Sequence, residues 1–169
     1  AKKDPDGAAT ALAALIRRKP GRALLSESLV ALAAAEVRIG RHDAARANCE
    51  SVISSDANGD MIDEAIFGAG WSDLTYCRDK KLEIARLRRA AKQFETYASK
   101  FSRGEFAYRA KECSWVCRSL EQEYSTERRS VFFAIVQLLE GKLDTAYKAL
   151  EAAAKKYQDT YVGEAAKFY

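Results

Sequence analysis

The side chains in this sequence best suited to hold a metal or act as nucleophiles are one histidine, His42, and four cysteines, Cys49, Cys77, Cys113 and Cys117. Their spacing argues against both roles. No two cysteines form a CxxC pair. Cys113 and Cys117, four residues apart in a helical pattern, share one helix face but would need two further ligands to complete a structural zinc site. No metal site is expected. Buried thiols in a reducing compartment are the simpler reading, with an inter-helix disulfide as the alternative. A single imidazole with no placed nucleophile reads as a packing or turn residue rather than a general base. Asp60, Asp63 and Glu64 stand at the start of a helical segment, where carboxylates favour the helix dipole without any chemistry. The sequence also lacks a glycine-rich phosphate loop, a GxSxG elbow and an HExxH motif. The expectation is therefore a protein with no enzymatic activity and no cofactor.

Charge offers a second kind of site. Arg86, Arg88, Arg89 and Lys92 cluster behind Lys80 and Lys81, and could meet an acidic partner. They alternate with Leu82, Leu87, Ala90 and Ala91, which is how the solvated face of an amphipathic helix looks. An acidic protein partner ranks second to that reading and nucleic acid third. Lys and Arg total 28 against 24 Asp and Glu, a net charge of +4 with interleaved signs, which argues against nucleic acid. Trp71, Tyr76, Tyr108 and Trp115 could anchor a partner, but the tryptophans read first as wedges between helices rich in alanine.

The elements that must position these residues are helices. Of 169 residues, 31 are Ala and only 20 are Val, Ile or Thr, with two Pro and nine Gly. Ala loses no side-chain entropy in a helix, whereas β-branched residues suit sheets. A sheet-centred fold is close to excluded, and no apolar run approaches the ~20 residues a bilayer helix needs. Residues 1–7 (AKKDPDG) read as a flexible lead-in to one domain over 8–169, possible as part of a longer protein. Nine helices are predicted: 8–19, 22–39, 43–55, 61–78, 82–101, 105–124, 126–140 capped by Ser125 or Thr126, 143–157 and 160–169. Pro20-Gly21, Gly40, the turn Asp56-Ala57-Asn58-Gly59-Asp60, Ser102-Arg103-Gly104 and Gly141 punctuate them. Gly68 and Gly70 beside Trp71 weaken a helix, and so suggest a close approach of another element or a bend.

Self-comparison adds an internal repeat. Ala33…Gly40-Arg41-His42-Asp43-Ala44-Ala45 and Ala134…Gly141-Lys142-Leu143-Asp144-Thr145-Ala146 share the spacing Ala-x6-Gly-x4-Ala. In each, Gly stops one helix, a basic residue and an Asp follow in the turn, and the last Ala lies early in a second helix. The copies stand 101 residues apart, near three periods of about 34 residues.

On these residues the chain resembles the tetratricopeptide-repeat superfamily. Ala33 and Ala134 match its small first-helix residue, Gly40 and Gly141 its inter-helix Gly, Ala45 and Ala146 its second-helix Ala, and Leu150 its large apolar position, which Cys49 fills loosely. Ala90-x3-Phe94 with Tyr97 is a third trace. The family's Pro after the second helix is replaced by Ala57, Ser102 and Gln158. The phrases FETYASKFSRGEFAYRA (94–110) and ALEAAAKKYQDTYVGEAAKFY (149–169) look like those of bacterial cell-envelope repeats, the outer-membrane assembly lipoproteins and the Tol-Pal coordinator type. Helices 105–124 and 126–140 both read as first helices, so strict alternation fails between 78 and 125.

The resemblance implies a right-handed solenoid of antiparallel helix pairs whose first helices line a concave surface. In the first copy Glu27, Val30, Ala34 and Arg38 would face that groove; in the last, Arg128, Val131 and Ile135 would. It further implies a scaffold that binds a peptide or helix of a protein partner, and leans towards the bacterial periplasm or cell envelope, with the cytoplasm as the alternative. Self-association through helices 126–140 and 160–169, and RNA binding through Arg86, Arg88, Arg89 and Lys92, are the alternative functions.

Overall fold

A computed structural model describes residues 4–122 and 126–157, and among these every regular element is a helix. There are eight: α1 (Pro5–Arg17), α2 (Arg22–Arg38), α3 (His42–Ser55), α4 (Ile62–Asp79), α5 (Ile84–Lys100), α6 (Ala107–Gln122), α7 (Thr126–Leu139) and α8 (Leu143–Lys156). The expected ninth, 160–169, and the Ser125 cap lie outside the described residues. By its internal contacts the chain divides into two compact units, 1–114 and 115–169, with the boundary inside α6.

The lead-in differs from expectation. Asp4 caps α1 by accepting the Gly7 N–H at 3.0 Å, and Pro5 occupies the first helical position. Proline has no N–H to lose there and its fixed φ suits a helix start, so these residues nucleate α1 rather than fray from it. On the other flank, α1 packs Ala9 against Leu32 and Ala35 of α2.

In the first unit, α2 is buried on two sides. Leu29 meets Val52 of α3 and Ala65 of α4, while Ala33 meets Ala45 and Cys49 of α3 and Ala69 of α4. Moving forward along α2 from 29 to 33 therefore moves forward along α4 from 65 to 69 and backward along α3 from 52 to 49 and 45. Two parallel helices thus share an antiparallel α3, and the alanines let them close on each other.

The predicted turns hold. Gly40 adopts φ +77°, with the Arg41 N–H on the Glu36 carbonyl at 2.8 Å and the Gly40 N–H on the Val37 carbonyl at 3.1 Å. Gly141 repeats this with φ +74°, the Lys142 N–H on the Gln137 carbonyl at 3.0 Å and the Gly141 N–H on the Leu138 carbonyl at 2.9 Å. Both are Schellman stops, which need a residue at ease in the left-handed region. At the 56–60 turn the Gly59 N–H donates to the Asp56 carbonyl, and the Asp56 carboxylate takes the Ser26 hydroxyl at 2.9 Å.

Helical spacing predicts one buried stripe of Leu87, Ala90, Ala91, Phe94, Tyr97, Ala98 and Phe101; the first five are fully buried in α5, and Ala98 and Phe101 are half-buried. The second unit contains the α7–α8 hairpin, with Ala134, Ala146 and Leu150 buried like their counterparts Ala33, Ala45 and Cys49. Six consecutive α7 residues, Val131 to Val136, are buried, so this stretch of the helix is covered all round.

Candidate functional site

The parallel pair α2 and α4 bounds a groove of about 310 Å³ in the first unit. Val30, Ala34 and Arg38 line it from α2, Glu64, Phe67 and Trp71 from α4, Phe106 from the turn before α6 and Arg109 from the first turn of α6. Its floor is made of small groups: Ala33, Gly68 and the Cys49 thiol. A Cβ on Gly68 would stand 2.8 Å from the Cys49 Sγ, and one on Gly70 would press the Phe94 ring at 3.1 Å. The two glycines therefore mark close approaches. Burial, with Glu36 and Glu50 nearby, pushes the Cys49 thiol up to about 12, so it stays a neutral packing group.

An aromatic stack forms one wall. The Phe67 ring lies between Trp71 at 5.8 Å and Phe106 at 4.6 Å, both nearly parallel to it. The Arg109 guanidinium carbon sits 5.3 to 5.7 Å from all three ring centres, within cation–π range. Packed this way, Arg109 has a buried Nε with no acceptor, and across the groove wall Glu64 has a buried Oε2 with no donor. Each such buried, unmatched group costs about 1–3 kcal/mol. Burial, then Asp63 and Glu105, raises the Glu64 carboxyl to about 7. Near neutral pH it is thus divided between acid and carboxylate. Arg38 is exposed at the C-terminal end of α2, on the groove's other flank.

No family model, curated protein or solved structure matches the chain. What the groove can do is read from its own residues.

Three of the four residues expected to face a groove in the first copy, Val30, Ala34 and Arg38, do line this one. Glu27 does not. It is exposed, one helical turn back, at a separate hollow with Arg22, Asp56 and Met61. The second copy is a correction: Val131 and Ile135 are only 4% and 3% exposed and belong to the core, and Arg128 beside them is half-buried. A groove face cannot be assigned to α7, because its apolar residues continue around the helix.

The basic cluster also separates. Arg89 grips the buried Asp73 carboxylate with two hydrogen bonds of 3.0 Å, Arg86 adds one at 3.2 Å, and Arg46 of α3 lies 3.4 Å away. Arg86 further pairs with Asp43 at 2.8 Å and Glu83 at 2.9 Å and covers the Tyr76 ring at 3.6 Å. These arginines neutralise acids of α3, α4 and α5 and tie the helices together; only Arg88 and Lys92 of the four are exposed to solvent. The sequence pattern could not show this, because Asp73 stands inside the apolar run of α4.

His42 is 2% exposed. Its Nδ1 lies 3.2 Å from the Thr75 hydroxyl and its Nε2 3.4 Å from Asp79, a hydroxyl–imidazole–carboxylate line. Thr75, however, is fully buried and donates to the Trp71 carbonyl at 2.7 Å. No substrate atom could reach it. The line docks α3 on α4, as the packing reading expects. Among the described residues no three His, Cys, Asp or Glu side chains gather to hold a metal ion, and no helix is long and apolar enough to cross a membrane.

Of the groove residues, Glu64 and Trp71 attract attention in the sequence for other reasons, and Phe106 and Arg109 sit unremarked inside the 94–110 phrase. Only Gly68 and Gly70 beside Trp71 signal that something packs closely there. On the remaining tryptophan the core expectation gives way: Trp115 is about half exposed, edge-on to Phe132 at 5.0 Å.

Proposed function

We propose that this chain is a non-enzymatic interaction module that takes a peptide or helix of a partner protein in the groove between α2 and α4. The carrying observation is the groove itself: an open, mostly apolar cleft with an exposed cation and two buried polar atoms that lack partners. Interfaces of this kind combine an apolar, aromatic centre with a few polar groups that fix orientation.

The finer fold proposal is a tetratricopeptide-like solenoid, in which α2–α3 and α4–α5 are successive pairs and α2 and α4 are first helices. It is supported by the parallel course of α2 and α4 with α3 antiparallel to both, and by the identical glycine stops after α2 and α7. Stacked helix pairs of this sort present a continuous first-helix surface.

The test is a selection of random twelve-residue peptides on the immobilised chain, followed by affinity measurement against Ala34→Trp. Ala34 is exposed, so the indole fills the groove without disturbing the core. Selected peptides should lose at least tenfold in affinity. Undiminished binding to Ala34→Trp, or no selected peptide at all, overturns the reading.

A further inference from the structure

The groove is polarised along its length, and that polarity specifies the partner's chemistry. The register of α2 and α4, with Leu29 beside Ala65 and Ala33 beside Ala69, carries Arg38 towards the C-terminal end of α4 and leaves Glu64 at its N-terminal end. Glu64 and Trp71 are seven residues apart, about 10 Å at 1.5 Å per residue. The Glu64 end is the acidic one, because Asp63 and Glu105 act on the same carboxyl. Midway along the groove the Arg109 guanidinium carbon stands 5.3 to 5.7 Å from the Phe67, Trp71 and Phe106 ring centres, and at the far end Arg38 is exposed with no ion pair among the described residues.

Resting on the groove reading above, we infer that the partner segment is apolar and carries one internal Asp or Glu side chain, which Arg109 and Arg38 bind beside the aromatic wall. A guanidinium is planar and carries its N–H donors on its edges, and a carboxylate is the acceptor that matches them in charge and in shape. The apolar flanks of the segment cover Val30, Ala34 and the exposed edges of Trp71 and Phe106. Net charge agrees: two arginines line the groove against one glutamate. The Asp73 network adds no competing cation, since Arg46, Arg86 and Arg89 are engaged there.

The experiment uses the peptides selected above, displayed between constant linkers so that neither terminus is free, and measures their dissociation constants by fluorescence polarisation. Asp or Glu should be enriched next to Leu, Phe or Trp. Changing that residue to Asn or Gln should weaken binding about tenfold or more. Arg109→Gln should cost a similar factor, and the two losses should not add when combined, which separates direct contact from a general effect on folding. Arg38→Gln, at an exposed position, provides the second variant should Arg109→Gln alter the aromatic stack. Peptides that Ala34→Trp blocks but that show no acidic enrichment, or losses below twofold on amidation of the acid, overturn this inference and leave the groove reading standing. Additive losses overturn it as well. Absence of any peptide blocked by Ala34→Trp overturns both.

Discussion

The hairpins α2–α3 and α7–α8 carry one spacing and one turn, yet their exposed faces differ. Gly40 and Gly141 have φ values within a few degrees of each other and the same pair of hydrogen bonds. Their alanine pairs, Ala33 with Ala45 and Ala134 with Ala146, are equally buried. Past the turn the likeness ends. Val30 and Ala34 line an open groove, whereas Val131 and Ile135 are buried. His42 is 2% exposed and Leu143, in the same slot, is 52% exposed. The repeat thus encodes how the chain reverses and how closely two helices pack. It does not encode which outer face meets solvent, because that is decided by neighbours the spacing does not contain.

The largest effect that separates the hairpins is expected from Asp73. In the first unit this buried carboxylate holds arginines from α3 and α5, so Asp73→Asn weakens three charge-assisted contacts at once and should cost about 3–5 kcal/mol. Thermal unfolding gives the loss, and hydrogen exchange gives its location: amides of α3, α4 and α5 should lose most protection. Equal loss in α7 and α8 would break the contrast between the hairpins.

Next in size is a matched pair of substitutions. Val131→Asp puts a carboxylate into a fully covered site and should destabilise by about 3 kcal/mol. Ala34→Asp, at the exposed position, should change stability by no more than about 0.5 kcal/mol. Denaturant unfolding of both variants measures the difference in burial directly. If Ala34→Asp were as damaging as Val131→Asp, the groove would not be open.

Smaller, and equal in the two copies, is the cost of the turn. Gly40→Ala and Gly141→Ala should each lose about 1 kcal/mol, because Cβ crowds a carbonyl at positive φ and nothing else lies within reach of it. A large inequality would mean that the two turns, alike in geometry, carry different loads.

What was legible in the sequence follows the same division. Helix positions could be read because Gly, Pro and the Asp56–Asp60 turn interrupt the apolar period, and the Ala-x6-Gly-x4-Ala spacing named both hairpin stops. On α2 the tetratricopeptide resemblance implied Glu27, Val30, Ala34 and Arg38, of which the last three line the groove and Glu27 does not. Asp73 and Arg109 could not be found that way. Their roles come from side chains 13 or more residues distant in the sequence, Arg86 and Arg89 for the one, Phe67 and Trp71 for the other. An Arg at i and i+3 on α5 looks alike whether it faces water or a buried carboxylate. Likewise the continuous apolar run of α7 fits a first helix with one exposed stripe until packing covers all of it.

The smallest effect is a pH dependence that arises in the first unit and, for histidine, at the first hairpin alone. Burial lowers the His42 pKa below its ordinary 6.5, an effect only partly offset by Asp79. The folded chain therefore prefers neutral imidazole. Above pH 6.5 neither state binds the proton and the full stability is present; as pH falls below 6.5 the unfolded chain takes it first, and stability declines until the folded-state pKa is reached. Glu64 acts oppositely in an overlapping range: its carboxyl, raised to about 7, binds a proton more readily when folded, so stability gains as pH falls from about 7 through the ordinary 4.5. The two contributions separate by subtraction. His42→Gln should flatten the decline between pH 6.5 and 5.5, and Glu64→Gln should steepen it, both followed by urea unfolding. Leu143→His, which sets an imidazole in the same slot of the exposed copy, should add no such slope, since solvent there leaves the pKa of histidine near its ordinary value. A slope from position 143 as large as that from position 42 would show that the two slots share an environment, against the burial that distinguishes them.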